Sequence, residues 1–241
     1  MRKLIGVVGG LGPLASTRFL ATVYRMFRDV PEQQTPRILL SSDPTFPDRT
    51  ESFLRGDEDE ILARASAAAE GLIALGADQL LFCCVTIHRI VPRLPAVVRE
   101  RLVSLLDVAV DAALQCTGDV LLLCTSGTRK LRLFEGARRW PLLAERVRYP
   151  CDDEQQAVHE TIYALKRNCD PVEAQARLAR ILAAHDVDHW LLGCTELHLL
   201  SNTRSSDRNG HEVVLIDPLH HVAELIRDDA LGRQNPSEQI C

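Results

Sequence analysis

Two stretches decide the fold: Asp78-Gln-Leu-Leu-Phe-Cys-Cys84-Val-Thr-Ile-His88 and Asp188-His-Trp-Leu-Leu-Gly-Cys194-Thr-Glu-Leu-His198. Each carries an Asp six residues before a cysteine, an apolar run leading into that cysteine, and a His four residues after it. A short apolar run of this kind reads as a strand buried on both faces, the habit of parallel sheets. In open α/β sheets the residues at the carboxyl ends of such strands open into the crevice where ligands bind. Two copies in opposite halves of the chain therefore predict a cleft with a thiol on either side. Two opposed thiols are what a two-base proton exchange at a carbon centre needs.

Outward from these stretches, apolar runs alternate with helical patterns. Leu4–Val8, Arg37–Ser41 and Leu80–Cys83 read as strands, with helices expected over Pro13–Val30 and Glu58–Leu75, the latter closed by Gly76. Asp43–Arg55 is proline-rich and reads as a loop, and a helix is expected from Pro92 onward. A second series follows, with strands at Val120–Cys124, Arg146–Tyr149 and Trp190–Leu192. Its helices are expected at Asp107–Leu114, Arg129–Arg138, Glu154–Arg167 and Pro171–His185. Residues 201–212 read as a polar surface loop, Val213–Ile216 as a strand, Pro218–Arg227 as a helix, and the rest as a frayed tail. Strands alternating with helices mean βαβ units and parallel sheets. The expected fold is α/β, with two pseudo-symmetric domains, each a mostly parallel four-stranded sheet flanked by helices. The first takes residues 1–98 plus 212–241 and carries Cys84; the second takes 99–211 and carries Cys194.

Size and composition exclude several classes. The chain has 241 residues, 46% of them hydrophobic and 25% charged, with a net charge of −5. That is enough apolar material for a core without disulfide or metal staples. A nucleic-acid binder carries a basic patch, whereas here arginines alternate with acids, as in Arg99-Glu-Arg101. The eight cysteines (83, 84, 116, 124, 151, 169, 194 and 241) show no CxxC pair and no zinc spacing. They point to a reducing, cytoplasmic setting. The opening Met-Arg-Lys and apolar run mimic a signal peptide, but four glycines and a proline between Leu4 and Ala15 suit a strand and loop better. No apolar run is long enough for a membrane span.

Several motifs sit at strand ends. Gly9-Gly10-Leu11-Gly12-Pro13 follows a strand and opens a helix, where glycines let a ligand approach and free N–H groups favour an anion. Gly10–Ala15 also fits the loose dinucleotide pattern Gly-x-Gly-x-x-Ala, although Asp43 is late for the acid that binds a ribose. A carboxylate loop, an NAD(P) site and a purely structural turn all remain open here, the first favoured. Thr125-Ser126-Gly127-Thr128 occupies the matching place in the second half, as a carboxylate grip or a helix N-cap. Arg49, in Asp43-Pro-Thr-Phe-Pro-Asp-Arg49-Thr50, is a natural bidentate partner for a carboxylate. Cys83, Cys116, Cys124, Cys151, Cys169 and Cys241 read as buried small hydrophobes or incidental. His88 and His198 read as satisfied supporting histidines rather than general acids, and His220-His221 is assigned no chemistry.

In these residues the chain resembles the aspartate/glutamate racemase family of cofactor-independent amino acid racemases, in its aspartate branch. Gly9–Pro13 resembles the family's GGMGP, Pro47-Asp48-Arg49-Thr50 its PDRT, and Thr125–Thr128 its T-[ST]-G-T. Gly193-Cys194-Thr195-Glu196 matches GCTE, and Asp217-Pro218 the closing DP. The ordered set spans essentially the whole chain. The resemblance implies an active site in the interdomain cleft, with Cys84 and Cys194 as thiolate base and thiol acid on opposite faces of the α-carbon. Cys194 would serve the L-isomer and Cys84 the D-isomer. Thr86, Thr125, Ser126, Thr128 and Thr195 would hold the carboxylate or ammonium, beside Gly10, Leu11, Val85 and Glu196. Arg49 and Lys166 would grip an acidic side chain. The resemblance further implies no pyridoxal phosphate, metal or nucleotide, and a homodimer.

Two positions depart from the pattern. Val85 stands where the family's Cys-Asn-Thr-x-His has asparagine, and His198 replaces the proline common after GCTEL. The expected function is racemisation of an acidic amino acid, aspartate favoured over glutamate. A maleate-type cis–trans isomerase or a racemase of a less polar amino acid is the alternative, with an NAD(P)-binding oxidoreductase further off. A non-catalytic amino acid sensor would bind ligand without α-proton exchange. Retention of both thiols argues against a one-cysteine decarboxylase of the arylmalonate type.

Overall fold

The computed structural model describes residues 3–200, 205–206 and 212–232. Most of the polar segment 201–212, the tail from 233 and Cys241 lie outside the described residues. The strands are β1 (Leu4–Gly9), β2 (Arg37–Ser42), β3 (Gln79–Phe82), β4 (Val120–Leu123), β5 (Val147–Arg148), β6 (His189–Leu192), β7 (Ser205–Ser206) and β8 (Glu212–Ile216). The helices of the first half are α1 (Pro13–Arg25), α2 (Arg49–Arg55), α3 (Asp59–Ala74) and α4 (Ala96–Arg99). Those that follow are α5 (Leu105–Leu114), α6 (Ser126–Lys130), α7 (Trp140–Leu143), α8 (Asp152–Lys166), α9 (Pro171–Ile181) and α10 (Pro218–Ala230).

The first sheet has the order β2-β1-β3 and is parallel, with Val7 opposite both Leu40 and Leu81. The second has the order β5-β4-β6-β8, also parallel, with β7 added antiparallel at the β8 edge. Successive side chains on a strand face opposite ways, and the packing follows that alternation. Ile5, Val7 and Leu81 share one core with Leu122, Leu191 and Ile216, filled by Phe19 of α1, Val110 of α5 and Val222 of α10. Val8, Leu80 and Phe82 point away from it onto Ile61, Ala65 and Ala69 of α3. Leu121, Leu123, Trp190 and Leu192 point away from it onto Val158 and Ile162 of α8 and Leu178 of α9. The two halves therefore meet through a common apolar layer of three helices.

The structure differs from the sequence reading in identifiable places. The first sheet has three strands, not four, because the closing strand β8 hydrogen-bonds to β6 and extends the second sheet. Only α10 returns toward the first half, packing on α1 as well as α5. Inside the expected loop 43–55 lies α2, capped by Asp48 Oδ1 accepting from Glu51 N–H at 3.0 Å and ended by Gly56 at φ 78°. The expected helix over 129–138 is α6, then Arg132 at φ 51°, then a 3-10 turn at Leu133–Gly136. In place of a helix beginning at Pro92, a 3-10 segment runs Thr86–Arg93 and the short α4 follows Pro95. Prolines lack the N–H a continuous helix would need.

His88 shows how the turn after β3 is fixed. It is buried, its Nδ1–H donates to Val85 O and its Nε2 accepts the Leu105 N–H, both at 3.0 Å. Accepting at Nε2 requires the neutral ring, and burial holds its pKa down at about 4 against an ordinary 6.5. A depressed folded-state pKa means the stabilising neutral form is fully present above pH 6.5 and lost as pH falls through about 4. Urea denaturation should therefore show stability declining over that window by about 3 kcal/mol. His88→Phe should abolish this pH-dependent component and cost about 2–4 kcal/mol at neutral pH, from two stranded backbone groups.

Candidate active site

β3 and β6 end alike. Cys83 N–H donates to Val8 O at 2.9 Å and Gly193 N–H to Leu123 O at 2.7 Å, and the chain then leaves the sheet. Cys84 and Cys194 stand at these matched exits, each followed by a 3-10 turn (Thr86–Arg93 and Thr195–Leu200) that fixes the thiol at the strand end. Gly193 has no room for a side chain, since a Cβ would lie 2.8 Å from Leu122 Cδ1 and 2.9 Å from Cys124 Cβ. Both thiols are shielded, at 6% and 5% exposure, and Cys84 is near enough for its charge to bear on Cys194.

Their surroundings are unequal. When the two stretches are superposed in register, Thr86 stands where Glu196 stands. Cys194 Sγ donates to Glu196 Oε2 at 2.8 Å. Burial first, and then the Glu196 carboxylate, push the Cys194 thiol well above its ordinary value, overriding the Lys166 ammonium. Cys194 therefore holds its proton. Cys84 instead lies beside the Arg49 guanidinium, which is kept charged despite its burial by Cys84, Asp48 and Glu196.

Arg49, the first residue of α2, reaches back under the glycine loop. Its Nη2 donates to Leu11 O at 2.6 Å and its Nη1 to Pro47 O at 2.8 Å, while Nε is buried with no partner. Much of the fork expected to grip a carboxylate is thus anchored to backbone. Glu196 Oε1 is likewise buried and unpartnered, and it lies so close to Gly12 that a Cβ there would be 2.5 Å away. Gly10 adopts φ 80° against the Asp43 backbone, where a Cβ would come within 2.3 Å. Leu11 contributes its carbonyl, its side chain being core, and Val85 packs its side chain into the shared apolar layer.

Hydroxyls join the halves. Thr50 Oγ1 donates to Thr125 Oγ1 at 3.3 Å, Thr125 Oγ1 to Thr128 Oγ1 at 3.1 Å, and Thr128 Oγ1 lies 3.2 Å from Thr86 Oγ1. Gly127 permits this approach, as a Cβ would meet Thr50 Cγ2 at 2.7 Å. Thr195 Oγ1 donates to Cys83 O at 3.3 Å, tying one cysteine turn to the other. His198 Nδ1 pairs with Asp217 Oδ2 at 2.5 Å, and its Nε2 lies 3.0 Å from Thr22 Oγ1, which fixes the turn after Cys194 against α1.

One face of α8 closes the site, and the sequence reading named only its last member. Gln155, His159, Tyr163 and Lys166 fall at successive turns. Gln155 Nε2 donates to Cys124 O at 2.8 Å, His159 Nδ1 accepts from Ser126 N–H at 3.2 Å, and Tyr163 OH donates to Asp48 Oδ1 at 2.8 Å. Lys166 Nζ pairs with Asp48 Oδ2 at 3.4 Å and sits 4.2 Å over the Tyr163 ring. Desolvation opposes the Lys166 charge, yet Glu196, Cys194 and Asp48 raise its pKa above the ordinary value. Asp48, desolvated as well, is held below its usual range by Lys166, the Glu51 N–H and Tyr163. The four-residue spacing of Gln155, His159 and Tyr163 was the available signal. Among the described residues, no group of three or more His, Cys, Asp or Glu gathers as a metal site.

Fold and site together define a two-halved α/β protein whose parallel sheets present one thiol each, under a lining of fixed charges. The sequence profile of the Asp/Glu/Hydantoin racemase family matches residues 8–226, and the chain belongs to that family of isomerases. Its fold is similar to that of an aspartate racemase from Picrophilus torridus, with TM-score 0.80, 23% identity, and coverage of 98% of this chain and 97% of the other. A glutamate racemase from Campylobacter jejuni matches with TM-score 0.60 and 18% identity over 93% of this chain and 85% of its own. An allantoin racemase from Klebsiella pneumoniae matches with TM-score 0.55 and 16% identity over 98% and 91%. No helix of the described residues is long and apolar enough to cross a membrane.

The Cys194–Glu196 contact has a direct test. Glu196→Gln removes the carboxylate charge that helps keep the thiol protonated, so the Cys194 titration, read as the difference in thiolate absorbance between proteins with Cys194 and with Cys194→Ser, should move to lower pH. An unmoved titration would show that burial alone holds the proton.

Proposed function

We propose that this protein racemises an acidic amino acid, aspartate in preference to glutamate, by proton exchange between Cys84 and Cys194. The observation that carries the reading is a matched pair of unmet needs. Arg49 Nε is a buried donor with no acceptor, and Glu196 Oε1 is a buried acceptor with no donor. Buried polar groups are ordinarily satisfied, so an unpaired one calls for a partner. A zwitterionic amino acid brings both, a carboxylate for Arg49 and an ammonium for Glu196. Lys166, its charge reinforced by Glu196 and Asp48, supplies attraction for a side-chain carboxylate.

The chemistry needs no net oxidation. One sulfur, as thiolate, takes the α-proton; the carbanion's charge spreads onto the α-carboxylate, which Arg49 stabilises; the opposite thiol returns a proton to the other face. Cys194, whose proton is held by burial and Glu196, is the acid when Cys84 takes the α-proton, and the two exchange roles for the opposite isomer. In the assignment that places the D-isomer on the Cys84 side, Cys84 takes the α-proton of the D-isomer and Cys194 that of the L-isomer. No cofactor enters these steps. A cytoplasmic homodimer is the form in which we expect the enzyme to work.

The alternatives fit the same features less well. A dicarboxylate such as maleate has no ammonium, and would set an anion against Glu196 Oε1. A dinucleotide pyrophosphate at Gly10–Ala15 would meet the Glu196 carboxylate at Gly12. Val85 is packed in the apolar layer, where it does not make the substrate less polar.

Proton NMR in D₂O decides the matter. L-Aspartate should lose its α-proton signal and gain the D-isomer, faster than L-glutamate, and Cys84→Ser and Cys194→Ser should each abolish interconversion. Glu196→Gln should lower kcat/KM about 10- to 100-fold, the worth of a hydrogen bond to a charged group. Exchange surviving in either serine variant would overturn the two-thiol scheme; maleate turnover without amino acid exchange would favour the isomerase.

A further inference from the structure

Ser126 opens α6 in the threonine-rich turn of the site, and its N–H is already spoken for: it donates to His159 Nδ1 at 3.2 Å. A ring nitrogen that accepts is unprotonated, so His159 is neutral here and carries its proton on Nε2. Its ring lies 4.4 Å from that of Tyr163, whose hydroxyl is bound to Asp48 of the first half. His159 thus links the Thr125–Thr128 turn to the contact that joins the two halves. We propose that His159 is a pH-sensitive positioning residue: neutral, it holds Ser126 and the turn in the binding arrangement, and protonated, it releases them. This deepens the proposed racemase reading and rests on it, with the Thr125–Thr128 turn as part of the wall that the bound substrate meets.

Protonation reverses the interaction outright. Histidinium has only donors, so Nδ1–H would face the Ser126 N–H, and the bond becomes a repulsion. The groups around the ring are Lys166 and Glu160 of α8, Lys130 of α6, and Asp48 at the start of α2, with the Tyr163 ring against it at a tilt of 38°. Burial comes first and Lys166 second in favouring the neutral ring, Lys130 adds to them, and Asp48 and Glu160 work against them, leaving the pKa below its ordinary value. The hold therefore persists through neutral pH and fails only in acid. A switch of this polarity would weaken substrate binding on acidification without touching either sulfur.

Two variants separate the parts. His159→Asn places a non-titrating acceptor near the Nδ1 position, and His159→Phe keeps a ring beside Tyr163 but has no acceptor. In ligand-free protein, the ¹⁵N–¹H signal of Ser126 should shift with pH at the same midpoint as the His159 ring, below the ordinary histidine range. That shift should vanish in both variants. In turnover, KM should rise about five- to tenfold on acidification of the native protein and at all pH values in His159→Phe, with kcat changed less than about twofold, the size of one net hydrogen bond. His159→Asn should keep the neutral-pH KM throughout. A Ser126 amide indifferent to His159 titration would overturn the proposal whether or not the protein racemises. Native acid weakening that persists in His159→Asn would also overturn it. A protein inert toward amino acids but with the Ser126 shift intact would contradict the proposed substrate while leaving the switch standing.

Discussion

An arginine cannot shed its proton inside a protein, so burying Arg49 obliges the structure around it to answer a full positive charge. Backbone answers part of it, through the carbonyls of Leu11 and Pro47. The rest falls to Cys84, Asp48 and Glu196, which come from three separate segments of the chain. That demand explains why a glycine loop, a helix N-terminus and the two cysteine turns converge on one place. Asp48 serves twice: it caps α2, which carries Arg49, and it receives Tyr163 and Lys166 from the opposite half. Removing the charge of Arg49 would leave several anions without their common partner.

The near-symmetry of the two halves makes their difference informative. Matched strand ends deliver matched thiols, but the residue two places on is threonine in one half and glutamate in the other. A carboxylate beside a buried thiol keeps the proton on it; a guanidinium beside the other thiol offers a thiolate a counter-charge. In the proposed racemisation, a proton leaves one face of the α-carbon and another arrives on the opposite face, and the two thiols that would exchange them stand in these unequal surroundings.

The strands around the cysteines were legible because an apolar run bounded by polar residues says the same thing wherever it lies. Strand pairing was not: β8 reads as a strand from Val213–Ile216 alone, but which sheet it joins depends on β6, whose partners no local pattern names. The helix α2 hid inside a proline-rich loop, although Asp48 and Gly56 are ordinary cap residues spaced for it. Arg49 and Lys166 were visible as cations. That Arg49 spends most of its donors on carbonyls, and Lys166 its charge on Asp48, depends on contacts distant in sequence. Gln155, His159 and Tyr163 are not legible as site residues in sequence, because a polar stripe on a helix resembles an exposed face until another element covers it.

The proposed racemisation places one α-carbon between two sulfurs, with its carboxylate on Arg49 and its ammonium on Glu196. A crystal structure with aspartate bound tests it most directly. Cys84 Sγ and Cys194 Sγ should lie in van der Waals contact with opposite faces of the α-carbon, with Arg49 Nε and Glu196 Oε1 both paired. An aspartate with both sulfurs on one side, or with Glu196 Oε1 facing a carboxylate, would contradict it.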